Sequence, residues 1–312
     1  MKIILKRFLL IFLGIGLALF AFEATAGFLL KRQKGPLHVP MAEGTLKEMY
    51  YDTQLGFFPR VGEGGEYGPH GCLSNEYDVG DRKGRQRILF IGDSVTHRHM
   101  IVDALRELYG DQDFEYWNAG VGGFNTEQIL ELYRRHNQEI EPDHVVFTFH
   151  NNDFQLTPVA VEENGEPVLY IPDHPPMQAS HSIIGRSALY RLWLRFVTPD
   201  YERAPEEVKR DVAELQRLIQ EQGAKFSVVL FPILAPYDTW ALREQRSRRQ
   251  ALEILDALEI RYFDPLEALP EDLASCKLLR QEPDDTWHPS SEGGMLMAKF
   301  LHQGGLLDLK GE

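Results

Sequence analysis

From residue 87 onward, short apolar runs rich in β-formers alternate with longer stretches in which apolar positions recur at helical spacing. The runs are "RILFIG" (87–92), "FEYWNAG" (114–120), "HVVFTFH" (144–150), "KFSVVLFP" (225–232) and "IRYFDP" (260–265). The amphipathic stretches predict helices over about 97–109, 126–139, 206–222, 239–258 and 291–302. Strands that are apolar almost throughout are buried on both faces. The pattern therefore predicts an α/β domain over 85–305, with a mainly parallel five-stranded sheet covered by helices on each side. Such sheets carry their working residues in loops at the carboxyl ends of the strands. Residues 154–205, with "ENGEP", "IPDHPP" and "SALYRLWLRF", break the rhythm and predict an insertion near that edge, a lid or substrate wall. Residues 36–84, with "MYYDTQLGFFPR" and "GEGGEYGPHG", read as a turn-rich lead-in packed on the main domain.

The apolar pattern is of another kind at the N-terminus. Lys2, Lys6 and Arg7 precede a predominantly apolar run over 8–30, and Lys31, Arg32 and Lys34 follow it. The run is long enough to span a bilayer, so residues 1–35 are expected to form a transmembrane helix that anchors the chain. "ATA" at 24–26 fits a signal-peptide cleavage site, but the apolar core is longer than an ordinary signal core and "FLL" resumes beyond it. Glu23 lies inside the run near its outer end, where it reaches water or a partner helix. With three basic residues on each side, charge alone does not orient the span.

Charge narrows the partners. The formal net charge is −14, and the first 35 residues hold six basic residues against one acid, so the body of the chain is more acidic still. That excludes a nucleic-acid backbone as the expected partner. Cys72 and Cys276, far apart in sequence, leave pairing or two buried thiols equally open.

Ser94, in Gly92-Asp93-Ser94-Val95-Thr96, stands where a strand ends and a helix should begin. Capping and nucleophilic chemistry both fit that position. Thr96 occupies the place where a G-x-S-x-G elbow needs glycine, so that fold is not the one expected. A base is available in "DDTWHPSSEGG" (284–294), where Asp285 precedes His288 by three residues and can fix its tautomer, leaving Nε2 for the serine. Asp284 is the alternative, at a poorer spacing. Ser290 or Ser291 would cap the helix that follows. "NAGVGGFNT" (118–126) supplies either glycines that let a backbone N–H approach a ligand or a tight turn capped by Thr126. "FHNNDF" (149–154) supplies Asn152, as an oxyanion donor or as a turn residue. His97 and His99, two apart, make a poor metal pair, and "REQRSRR" (243–249) reads as a solvated helix face.

In order, "GDS", "NAGVGG", "NND" and "DTWH" resemble the four blocks of the SGNH hydrolases, the GDSL esterase and lipase superfamily, over about 87–302. The resemblance implies a flavodoxin-like three-layer α/β/α sandwich and a serine esterase that needs no metal or organic cofactor. It makes Ser94 the nucleophile, His288 the general base and then acid, and Asp285 the group that orients His288. It assigns the oxyanion hole to the N–H of Ser94, the N–H of Gly123 and the amide of Asn152, with Gly122 as the alternative to Gly123. The family pattern often has glycine where this chain has His150. The apolar N-terminus, the "LGFFPR" lead-in and the insertion also resemble a branch that works outside the bacterial cytoplasmic membrane, several of whose members act on acyl groups of extracellular polysaccharides. The expected substrate is an ester-bearing small molecule, lipid or glycan, acetyl esters included. An O-acyltransferase with a glycan hydroxyl as acceptor, and a catalytically silent glycan-binding protein of the envelope, remain as alternative readings.

Overall fold

The computed structural model describes residues 14, 16–28, 38–39, 49–52, 54–62, 66–73, 77–163, 166–170, 187–190 and 202–308. The chain forms two compact units, one of residues 1–41 and 158–201, the other of 42–157 and 202–312.

Five strands build the central sheet of the larger unit: β1 (Gln86–Gly92), β2 (Phe114–Gly120), β3 (His144–Phe149), β4 (Lys225–Leu230) and β5 (Tyr262–Phe263). They lie in the order 2-1-3-4-5, all parallel. This is the flavodoxin-like order, and the chain reverses its winding direction beside β1. Gly92 at the end of β1 is level with Gly120 of β2 and Thr148 of β3, so three strand ends open onto one edge. The run "IRYFDP" yields only the two residues of β5, an edge strand paired on one side.

The helices are α1 (Ser94–His97), α2 (Met100–Tyr109), α3 (Thr126–Arg135), α4 (Pro205–Glu221), α5 (Leu242–Ala257), α6 (Leu273–Leu278) and α7 (Ser291–Gln303). Successive strand residues point to opposite faces. Ile88, Phe90, Tyr116, Val146 and Val229 therefore share one face, where they bury Ile101, Val102 and Leu105 of α2 and Met297 and Leu301 of α7. Leu89, Ile91, Trp117, Val145, Phe147 and Val228 are buried on the other, the side of α3 and α4.

Several local expectations change. The helix expected over 97–109 is two helices, because His99 takes a left-handed conformation (φ 64°) between α1 and α2. Asn125, not Thr126, caps α3, its side chain accepting from the N–H groups of Glu127 and Gln128. "REQRSRR" is only partly a solvated face. Ser247 and Arg248 are buried, with Arg248 bonded to Asp264, and Arg243 and Arg246 bind Glu202. Cys72 and Cys276 are both free thiols, so the pairing left open by the sequence is not made. The lead-in hairpin, Met49–Asp52 with Gly56–Pro59, packs on this unit through Phe58 against Phe124 and through the Gln128 amide, which donates to Leu55 O at 2.8 Å.

In the smaller unit, His38–Val39 pairs with Glu166–Tyr170, which pairs with Val159–Glu163, giving a three-stranded antiparallel sheet. The first residues of the expected lead-in thus belong with the insertion. Residues 16–28 are helical; Glu23 accepts hydrogen bonds from Ser187 Oγ (2.9 Å), Leu189 N (3.0 Å) and Ala188 N. No helix among the described residues is long and apolar enough to cross a membrane. The rest of the 8–30 run, and most of the insertion including "RLWLRF", lie outside the described residues.

Candidate active site

The site grows from the β1–α1 junction. β1 ends at Gly92, and Asp93, nearly fully buried, caps α1 by accepting from Val95 N at 2.9 Å. Asn118 of β2 holds the turn from below, its amide donating to Thr96 O at 2.8 Å. Gly120 has to be glycine: a Cβ there would stand 2.3 Å from His97 N and 2.6 Å from Thr96 C, backbone atoms of α1. Ser94 is thereby presented at the sheet edge as the first residue of a short helix, with its N–H free of intrahelical partners.

Across the edge, the segment before α7 brings Asp285 and His288 to Ser94. Ser94 Oγ lies 2.8 Å from His288 Nε2, and His288 Nδ1 lies 2.6 Å from Asp285 Oδ2. A carboxylate only accepts, so Nδ1 carries the imidazole proton and Nε2 offers its lone pair to the serine hydroxyl. The second oxygen of Asp285 accepts from Trp287 N (3.0 Å) and His288 N (3.1 Å). Burial pushes the Asp285 carboxyl up, but the imidazole N–H and these two backbone N–H groups together hold it below its ordinary value. Asp284 makes no hydrogen bond to His288. The loop is braced by buried Arg280, which donates to Leu234 O (2.9 Å) and Pro283 O (2.7 Å), and by Leu234 N, which donates to Thr286 O. Ser290 caps α7, accepting from Gly293 N at 3.2 Å.

The other two segments follow β2 and β3. The N–H groups of Ser94, Gly122 and Gly123 have no protein acceptor among the described residues. A Cβ on Gly122 would come within 3.9 Å of Ser94 Cβ, and Gly123 takes φ +79°. Asn152 is buried in the one-turn 3-10 helix Asn151–Phe154; its Nδ2 donates at 3.5 Å to Phe124 O, on the same loop as the two glycines, and its Oδ1 lies 3.3 Å from His150 Nδ1. His97 and His99 diverge, His97 towards Tyr67 OH (3.1 Å) and Glu66, His99 towards the Asn118 amide (3.2 Å).

Sequence reasoning missed other members of the site. Trp287, 37 % exposed between Asp285 and His288, packs edge to face on His150. Phe57, from the lead-in hairpin, stands 3.7 Å from where a Gly123 Cβ would be. The buried pair Asp93 and Asp153 lies beneath the edge, and burial together with the Asp93 charge pushes the Asp153 carboxyl well above its ordinary value. Both acids sit inside motifs already singled out, whereas nothing in the spacing of "LGFFPR" announces Phe57.

The sequence profile of the GDSL-like lipase/acylhydrolase family matches residues 88–301. The chain belongs to this family. As a GDSL acylhydrolase it is a hydrolase that acts on ester bonds. No curated protein matches its sequence. Among solved structures it is similar to a catalytic mutant of an acetylxylan esterase from Geobacillus stearothermophilus (14% identity, 70% of this chain and 94% of that one, TM-score 0.46). It is also similar to a lipase/acylhydrolase from Enterococcus faecalis (18% identity, 70% and 94%, TM-score 0.44). A third is an alpha/beta hydrolase from the metagenome of Lake Arreo, Spain (14% identity, 71% and 96%, TM-score 0.46).

Proposed function

We propose that this GDSL acylhydrolase is a serine esterase working through an acyl-enzyme. Ser94 Oγ attacks the ester carbonyl as His288 Nε2 takes its proton. The imidazolium then protonates the departing alcohol, and water, activated by the same nitrogen, releases the acid. Asp285 stays ionised and stabilises the imidazolium. The tetrahedral oxyanion accepts from Ser94 N–H, Gly123 N–H and the Asn152 amide. The observation that carries this reading is the unbroken chain from Ser94 Oγ to His288 to Asp285, at 2.8 and 2.6 Å. Hydrolysis of an aryl acetate tests it: Ser94→Ala and His288→Ala should each lower kcat by at least about 10³-fold in a folded protein. A Ser94→Ala protein of undiminished kcat contradicts it.

The natural substrates are proposed as acyl esters, acetyl among them, of glycans or lipids at the cell envelope, with residues 8–30 as a retained membrane anchor and the catalytic domain on the periplasmic or extracellular side. Support for an anchor comes from the length of the apolar run and from Leu17, Leu19, Phe20, Phe22 and Phe28, all exposed on helix 16–28. Support for its retention comes from Glu23, whose hydrogen bonds to Ser187, Ala188 and Leu189 would be severed by cleavage after Ala26.

A further inference from the structure

We infer that His150 is a positioning residue that fixes which way the Asn152 amide points, with the nearby Asp93 carboxylate favouring the tautomer this requires; the inference rests on the esterase reading above. His150 is buried, and its Nδ1 faces two oxygens, Asn152 Oδ1 at 3.3 Å and Asp93 Oδ2 at 3.5 Å. A bare Nδ1 would turn its lone pair on both, so the proton sits on Nδ1. With Nδ1–H as donor, Asn152 presents its carbonyl oxygen to the ring. The other end of the amide, the NH₂, is turned away from His150 towards the loop of Gly122, Gly123 and Phe124. Without that donor the long 3.5 Å bond from Nδ2 to Phe124 O is what remains to distinguish the two ends of the amide. A flipped Asn152 would direct an oxygen at the developing oxyanion, repelling the charge it should stabilise.

The ring is held by two aromatic neighbours, and the residue's backbone is fixed as well. Its edges pack at 5.5 Å on Trp287, next to the general base, and at 5.6 Å on Phe231. Its backbone N–H donates to Asp153 Oδ2 at 2.6 Å, and Asp153 N donates back to His150 O. Asp93, which caps α1 with Oδ1, places Oδ2 3.5 Å from His150 Nδ1 without a hydrogen bond, so its negative charge favours the proton on that nitrogen. One residue therefore couples the neighbours of Ser94, His288 and Asn152. His150 thus gives the chain a side-chain device for ordering its oxyanion donor.

A kinetic double-mutant cycle on the full chain tests the inference, with an aryl acetate as substrate. His150→Phe keeps an aromatic ring against Trp287 and Phe231 but has no N–H. It should lower kcat about tenfold and leave KM within about twofold, while in an Asn152→Ala background it should change kcat by less than about twofold. His150→Gln, whose amide can donate to Asn152 Oδ1, should recover most of the lost kcat. If phenylalanine is not accommodated, His150→Ala gives the same cycle. Equal losses from His150 substitution with and without the Asn152 amide overturn the inference, as does an Asn152→Ala enzyme of unchanged kcat. Retained activity in Ser94→Ala would remove the esterase reading itself. Multiplying losses in an enzyme that Ser94→Ala silences would remove only the role of His150.

Discussion

Asp285 holds His288 by one side-chain oxygen while its other oxygen is tied to two backbone N–H groups. The carboxylate cannot rotate without breaking them, so the imidazole inherits a fixed direction. Asp285→Asn offers an N–H to Nδ1 and so favours the tautomer with its proton on Nε2, which cannot accept from Ser94. The expected loss of kcat on the aryl acetate is on the order of 10³- to 10⁴-fold with the fold retained, and a loss under tenfold would contradict the assigned tautomer. Asp153 makes a separate prediction about stability. Its folded carboxyl prefers the proton, so its contribution is fully present below the ordinary carboxylate value and is lost as pH rises through the raised folded value. Asp153→Asn keeps an acceptor for His150 N and removes that loss. The melting temperature of the variant relative to the wild-type chain should therefore increase between pH 5 and pH 8; a constant difference would contradict the raised value.

At the scale of elements, the β1–α1 junction depends on how closely β2 can approach it. Gly120→Ala would drive a methyl into the backbone of Thr96 and His97, and nothing there is the free end of a side chain. The helix must shift, carrying Ser94 with it. The expected result is a stability loss of about 1–3 kcal/mol by chemical denaturation. A fall of more than about tenfold in kcat should accompany it, since misplacing a reacting group by about 1 Å can cost a hundredfold. An active, equally stable variant would show that the approach is looser. The strands were legible because parallel strands buried on both faces read as continuous apolar runs, and β2 begins and ends where its run does. Helical periodicity has no means of registering the single left-handed residue His99 that splits α1 from α2. It also cannot register that Arg248 turns inward to Asp264.

For the whole molecule, three of the four motifs lie at the ends of adjacent strands β2, β1 and β3, so the strand order explains why residues 94, 122–123 and 152 meet at one edge. That much was legible from motif order and strand pattern together. The composition of the second unit was not, because it joins residues 1–41 to 158–201, and pairing between segments so far apart leaves no local periodicity. The retained-anchor proposal predicts that peptide mapping of protein extracted from the membrane fraction finds residues 8–26 still joined to residue 27. A chain beginning at Gly27 would contradict it.

The catalytic assignment is tested most directly by treating the full chain with a fluorophosphonate, digesting it and mapping the adduct by mass spectrometry. The account predicts one adduct, on Ser94, absent from Ser94→Ala and formed much more slowly in His288→Ala. An adduct on another residue with Ser94 unmodified, or equal labelling of Ser94→Ala, would contradict it.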